Sequence, residues 1–378
     1  MLPTSLYIHI PWCIQKCPYC DFNSHKSPSI LPEEQYVKAL IADLTADLAF
    51  FPPRKINTIF IGGGTPSLLS AQSYAYLLNK LQTLLPFADN IEITLEANPG
   101  AIEQQRFNDY RSLGINRLSL GIQSFHAPHL KALGRIHDDE QAKKAIATAR
   151  SAGFDNINLD IMHGLPNQSL AEGLHDLKTA LSFQPEHLSW YQLTLEPNTV
   201  FYKKPPPLPN EDEIGLLEEE GFAVLKEHGY QRYEISAFCK PEKAARHNLN
   251  YWLFGDYYGI GAGAHGKLST EHAEVVCRTR KQKQPKDYLN TEKPFLAAKE
   301  QVSQDSLVFE FMLNLSRLEQ VHENTLFTER TGLSFAHLQP QLAQAAREGL
   351  IALSGESFEV TPLGRLYTNN LQALFLPD

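Results

Sequence analysis

Three of the chain's five cysteines, Cys13, Cys17 and Cys20, fall within eight residues at a Cys-x3-Cys-x2-Cys spacing. Three thiolates so placed can wrap one face of an iron–sulfur cubane and leave the fourth iron without a protein ligand. An open metal position is where a second ligand binds and reacts, as at catalytic zinc sites. Zinc itself is a competing reading, but it wants four ligands, and His9 or His25 would have to supply the fourth. Three unrelated buried thiols are the remaining alternative, and their clustering argues against it. An odd cysteine count is a poor disulfide framework and suits a reducing compartment, which points to the cytoplasm.

Other residues able to grip a ligand recur at one kind of place. Residues 6–10, 58–61, 91–96, 117–122, 156–161 and 187–195 read as short apolar strands. Residues 33–49, 71–84, 103–113, 139–152, 170–181 and 211–227 read as amphipathic helices. Strands alternating with helices predict βαβ units, a parallel sheet and right-handed crossovers: an α/β fold with a partial (β/α)6 barrel. Glycine-rich or polar loops follow several strands, at residues 62–66, 97–100, 123–125 and 163–166. Active sites of such barrels lie at the C-terminal strand ends. Glu96, Gln123 and Asp160 end or follow strands and Arg135 lies on the helix or loop that follows the fourth, so polar groups gather at one end of the barrel. Tyr7, inside the first strand, is either a wall of that site or plain core.

The remainder of the chain sets the boundaries. Lys and Arg number 34 against 43 Asp and Glu, a net charge of −9 that leaves a general nucleic-acid binder no basic face. No run of about eighteen apolar residues predicts a transmembrane helix, and Met1-Leu2-Pro3-Thr4 lacks the basic start of a signal peptide. Residues 278–286 read as a charged linker. After about residue 304 the pattern becomes helical, with a short hairpin turning at Gly355 and a last helix over 362–374, which predicts a winged-helix-like domain. Few basic residues in 336–346 favour a packing or lid role over DNA binding. The expected division is a barrel over 1–240, an extension over 241–300 and a C-terminal domain over 301–378.

The cysteine run behind the first strand resembles the signature of the radical SAM superfamily. In that superfamily S-adenosylmethionine (SAM) chelates the open iron of a [4Fe–4S] cluster and is reductively cleaved to methionine and a 5′-deoxyadenosyl radical. The resemblance implies that Cys13, Cys17 and Cys20 hold the cluster and that Tyr19 approaches the adenine. It implies further SAM contacts at Tyr7, Gly63, Gly64, Thr65, Glu96, Gln123, Arg135 and Asp160. Missing glycine side chains would let backbone approach SAM's amino group, Glu96 would accept from the ribose, and Arg135 would grip the carboxylate.

Longer runs narrow the resemblance. Tyr7-Ile8-His9-Ile10-Pro11-Trp12-Cys13, Gly121-Ile122-Gln123-Ser124-Phe125, Leu133-Gly134-Arg135 and Asp160-Ile161-Met162-His163-Gly164-Leu165-Pro166 are similar to the oxygen-independent coproporphyrinogen III oxidase family. That oxidase has a further cysteine where this chain has Phe22, and a long arm where this chain has twelve residues before Cys13. Both departures direct the resemblance to the sister group of radical SAM haem chaperones. His247-Asn248-Leu249-Asn250-Tyr251-Trp252 is an HNxxYW run typical of that group. It makes His247 the expected haem ligand, with Tyr and Trp rings to stack on the porphyrin; His265 is a second candidate. The implied function is to bind haem and deliver it to apo-haemoproteins such as respiratory enzymes, including membrane complexes, with homodimer formation left open. The alternative is SAM-dependent oxidative decarboxylation of coproporphyrinogen III. Cys239 and Cys277 have no assigned role beyond buried or free thiols.

Overall fold

A computed structural model describes residues 2–377. Its centre is six parallel strands paired in chain order: β1 (Thr4–Ile10), β2 (Ile56–Gly63), β3 (Phe87–Ala97), β4 (Arg117–Gln123), β5 (Ile157–His163) and β6 (His187–Gln192). Leu6, Ile8, Ile10, Ile59, Ile61, Leu118 and Leu120 are wholly buried. A strand covered on both faces reads as an apolar run rather than an alternation, which is why these segments were legible. Helices α1 (Glu33–Asp47), α2 (Ala71–Leu84), α3 (Ala101–Ser112), α4 (Asp139–Ser151) and α5 (Leu170–Ser182) form the crossovers. Ser70, Asp138 and Ser169 cap α2, α4 and α5 by accepting the N–H three residues on, which fixes where each loop from a strand end must turn into a helix. The α/β partial barrel is the expected fold.

The sheet does not stop at six strands. Beyond β6 lie antiparallel β7 (Gln231–Glu234) and β8 (Ala237–Cys239). On the other side β9 (Asp256–Ile260) pairs parallel to the free edge of β1, and β10 (His265–Ser269), β11 (Val276–Lys281) and β12 (Leu296–Gln301) continue antiparallel from it. The charged stretch expected to be a linker over 278–286 therefore begins as β11. Its charges are compensated by distant residues: Lys281 is buried against Asp43 and Asp47, and Arg278 meets Glu310 at 2.6 Å. A buried charge is tolerated when it is paired and hydrogen-bonded, so local polarity did not mark a loop. Asp256 anchors β9 in the same way, taking Lys267 at 2.9 Å as well as Arg54 and Ser269.

A second core lies under the last part of the chain, where Phe311, Met312, Phe327, Leu342, Phe358 and Leu371 are buried together. The hairpin Ile351–Ser354 with Ser357–Val360 turns at Gly355, whose φ is +60°. The helix expected over 362–374 is two pieces, Pro362–Leu366 and Thr368–Ala373, because Tyr367 between them leaves helical geometry at φ −111°, ψ 44°. Among the described residues no helix is long and apolar enough to cross a membrane.

Candidate cofactor site

The loop after β1 carries the cysteines, and the loop after β2 holds it in place. Gly64 N donates to Ile10 O at 2.7 Å and Thr65 N to Trp12 O at 2.7 Å, while Ser27 N donates to Cys13 O at 2.8 Å. This close approach explains the glycine run. A Cβ on Gly64 would stand 2.5 Å from Trp12 O, and one on Gly63, at φ +118°, would stand 2.5 Å from the His9 ring. Backbone cannot move aside as a side chain can, so only glycine fits at 64.

A cavity of about 280 Å³ opens between this loop and the strand ends, lined by Cys13, Cys17, Tyr19, Cys20, Gly63, Gly64, Thr65, Glu96, Gln123, Arg135 and Asp160. It brings together every expected cluster and SAM residue except Tyr7. Tyr7 lines an adjoining cavity that shares Gly63 and Glu96 with the first, and its hydroxyl lies 2.9 Å from His9 Nδ1. His247 lines neither. It is 1% exposed, with Nδ1 2.8 Å from Thr58 Oγ1 and its ring against Phe60 and Tyr251. Burial lowers its pKa to about 3. Its buried Nε2 has no hydrogen-bond partner.

The cavity's walls have opposite character. Glu96 accepts from Gly63 N at 3.1 Å, yet burial first, and the charge of Asp160 second, push its carboxyl up to about 7. Asp160 accepts from Asn158 Nδ2 at 2.8 Å and Ser119 Oγ at 3.1 Å, and burial still raises it. Facing them, Arg135 donates to Asn98 Oδ1 at 2.6 Å and Gly121 O at 2.7 Å, and contacts Cys17 Sγ at 3.8 Å. Its buried Nε has no partner. A ligand with hydroxyls or a cation at one end and a carboxylate at the other would satisfy both walls. SAM is such a ligand, with ribose hydroxyls, a sulfonium and a carboxylate. Burial also raises the Cys13 and Cys20 thiols. That penalty on the thiolate is one a bound metal's positive charge removes.

One zinc fits this donor set poorly. Among the described residues, His126, His129 and Glu172 have ligand atoms all within 4.8 Å of one another; the three thiols do not form such a group. Two thiolates on one zinc cannot be farther apart than about 4.6 Å, twice the Zn–S bond. His9 cannot complete the set either, since both ring nitrogens are engaged, with Tyr7 OH and with Asn23 O at 3.0 Å. The wider triangle suits a cluster, whose irons are separately ligated.

Three contributors escaped the sequence reading. Asn98 couples the loops by donating to Thr65 Oγ1 at 3.0 Å while accepting from Arg135; its place just past β3 was the available signal. Tyr191 on β6 donates to Gln123 Oε1 at 2.8 Å. Gln123 itself sits at φ +71°, strained for a non-glycine residue, and such strain collects at functional sites. Ser119 had no local signal, since its role is to support Asp160 across the sheet.

Known proteins resemble this chain in sequence and in fold. The Radical SAM superfamily model matches residues 7–180 and the HemN C-terminal domain model residues 302–367. The Heme chaperone HemW of Haemophilus influenzae is 49% identical over 380 residues, spanning 100% of this chain and 98% of that one. The chain belongs to the HemW family of radical SAM proteins. Another member, the Heme chaperone HemW of Escherichia coli, is 46% identical over 100% of this chain and 99% of its own. Among solved structures, the coproporphyrinogen III oxidase HemN of Escherichia coli, a radical SAM enzyme, superposes with a TM-score of 0.82 at 25% identity, over 99% of this chain and 90% of that one. The HemW family thus shares its fold with an oxidase that it need not resemble in activity.

Proposed function

We propose that the chain is a haem chaperone that carries a [4Fe–4S] cluster on Cys13, Cys17 and Cys20, holds SAM in the adjoining cavity and passes haem to apo-haemoproteins. The observation that carries this reading is the likeness, over the whole chain and at 49% identity, to a protein named as a heme chaperone. When bound, the cluster supplies an open iron and an electron to SAM. The chain's own residues do the rest. Arg135, whose Nε lacks a partner, takes a carboxylate; Glu96, once ionised, accepts ribose hydroxyls; Gly63 and Gly64 keep the floor free of side chains. Tyr19, half-buried at the rim, closes over the adenine. Phe22, where the oxidase has a further cysteine, is 63% exposed at the cavity mouth and offers an apolar surface instead of a ligand. Five free cysteines suit a reducing compartment, and we place the protein in the cytoplasm.

The test uses anaerobically reconstituted protein loaded with haemin. Haem should pass to an apo-b-type cytochrome, measured by the acceptor's Soret band. Coproporphyrinogen III should remain unchanged with SAM and dithionite; its conversion to protoporphyrinogen would overturn the chaperone reading in favour of the oxidase.

A further inference from the structure

The second cavity, about 790 Å³, opens beside the first and shares Phe22, Gly63 and Glu96 with it. Its size lies toward the upper end of small-molecule sites, roughly 300–1,000 Å³. We propose that this cavity holds the haem, with His265, not His247, as the iron ligand and Arg280 and Lys283 receiving the propionates. The proposal rests on the chaperone reading and adds the site.

Two histidines line the cavity, His9 and His265, and His247 packs behind its wall residue Tyr251; their surroundings separate them. His9 has both nitrogens occupied. His247 is buried against Tyr251 and Phe60 and does not line the cavity, although its Nε2 has no partner. His265, the first residue of β10, is exposed on the cavity wall, and its ring makes no hydrogen bond among the described residues. Partial desolvation first, then the nearby Arg280 and Arg278 charges, lower its pKa, so the imidazole is neutral at neutral pH and keeps a lone pair for iron.

The remaining walls fit a flat dianionic macrocycle. Tyr251 and Tyr257 meet edge to face at 4.5 Å and present aromatic surface, as does exposed Phe22. The cations differ in availability. Lys281 is committed to Asp43 and Asp47. Arg280 has only a solvent-exposed partner, Glu300 at 3.1 Å, and Lys283 forms no ion pair among the described residues. An exposed pair is worth little and is readily exchanged for a carboxylate brought by the ligand.

Haemin and iron-free protoporphyrin IX are titrated separately into anaerobically reconstituted wild type, His265→Ala, His247→Ala and the double variant Arg280→Ala/Lys283→Ala, with thermal scans to verify folding. Wild type and His247→Ala should give the same imidazole-ligated haem spectrum. His265→Ala should lose that spectrum and bind haemin about tenfold or more weakly, added imidazole should restore the spectrum, and its affinity for protoporphyrin IX should match wild type. The double variant should weaken both ligands. A wild-type spectrum and affinity in His265→Ala would overturn the site while leaving the chaperone reading intact. Loss of the spectrum in a stably folded His247→Ala would do the same. Failure of wild type to take up haemin would sink the chaperone reading itself, and the site with it.

Discussion

Replacing Glu96 by glutamine should stabilise the ligand-free protein at alkaline pH and weaken SAM binding. Folding moves the Glu96 carboxyl from an ordinary 4.5 to about 7, so the folded state holds a proton that the unfolded chain releases across that window. A carboxyl raised on folding costs stability as pH climbs from about 4.5 to about 7, and the cost persists above it. The shift corresponds to about 3 kcal/mol at most, and because Glu96 faces an open cavity, water screens this to about half. Glutamine keeps an oxygen for Gly63 N and never ionises. For a chain of 378 residues, unfolding entropy near 2.1 cal/mol/K per residue makes that a Tm gain of about 2 °C by pH 8, and less at pH 5.5. The same change removes charge-assisted acceptance from the ribose, worth about 1.5–3 kcal/mol, or about 10- to 100-fold in SAM affinity. Thermal scans at both pH values and calorimetric SAM titration read the two effects. A Tm difference independent of pH, or SAM affinity unchanged in Glu96→Gln, would refute the assignment of a buried, ligand-facing carboxylate.

Serine at Cys13, Cys17 or Cys20 should abolish the iron content and the cluster's broad visible absorbance; retention of one zinc per chain by the wild type, with no iron, would refute the cluster. Gly64→Ala forces a Cβ to within 2.5 Å of Trp12 O and should cost about 1–3 kcal/mol, lowering Tm by about 1–4 °C and impairing cluster assembly; an unchanged Tm would mean the cysteine loop is not held as described. Arg135→Lys should weaken S-adenosylhomocysteine binding by about tenfold or more, since an ammonium cannot hold Asn98 and Gly121 and also present a planar face. Affinity within about twofold of wild type would remove Arg135 from the carboxylate grip.

The cysteine spacing was readable because the three thiols that line the cavity sit on one loop, and a local constraint leaves a local trace. Glu96, Gln123 and Asp160 were readable for a related reason: buried parallel strands advertise themselves as apolar runs, and the residue that ends each run is placed by the barrel. Tyr191 was less visible because it lies within a strand, and its partner Gln123 is 68 residues away.

What the chain order left open was decided by edges and by loss of water. Nothing local says that β9 pairs with the free edge of β1, yet that pairing carries Tyr257 and His265 to the cysteine loop. Nothing local says that Lys281 is buried, because its neutralising partners Asp43 and Asp47 come from a helix more than 200 residues earlier. His247 shows the same limit most sharply. Its motif resembles a ligand site, while its burial against Phe60, Thr58 and Tyr251, with Nε2 left without a partner, exists only once the sheet has formed. Spacing along a chain fixes which groups can share a loop or a face; burial and strand order determine which of them still meet solvent or a ligand.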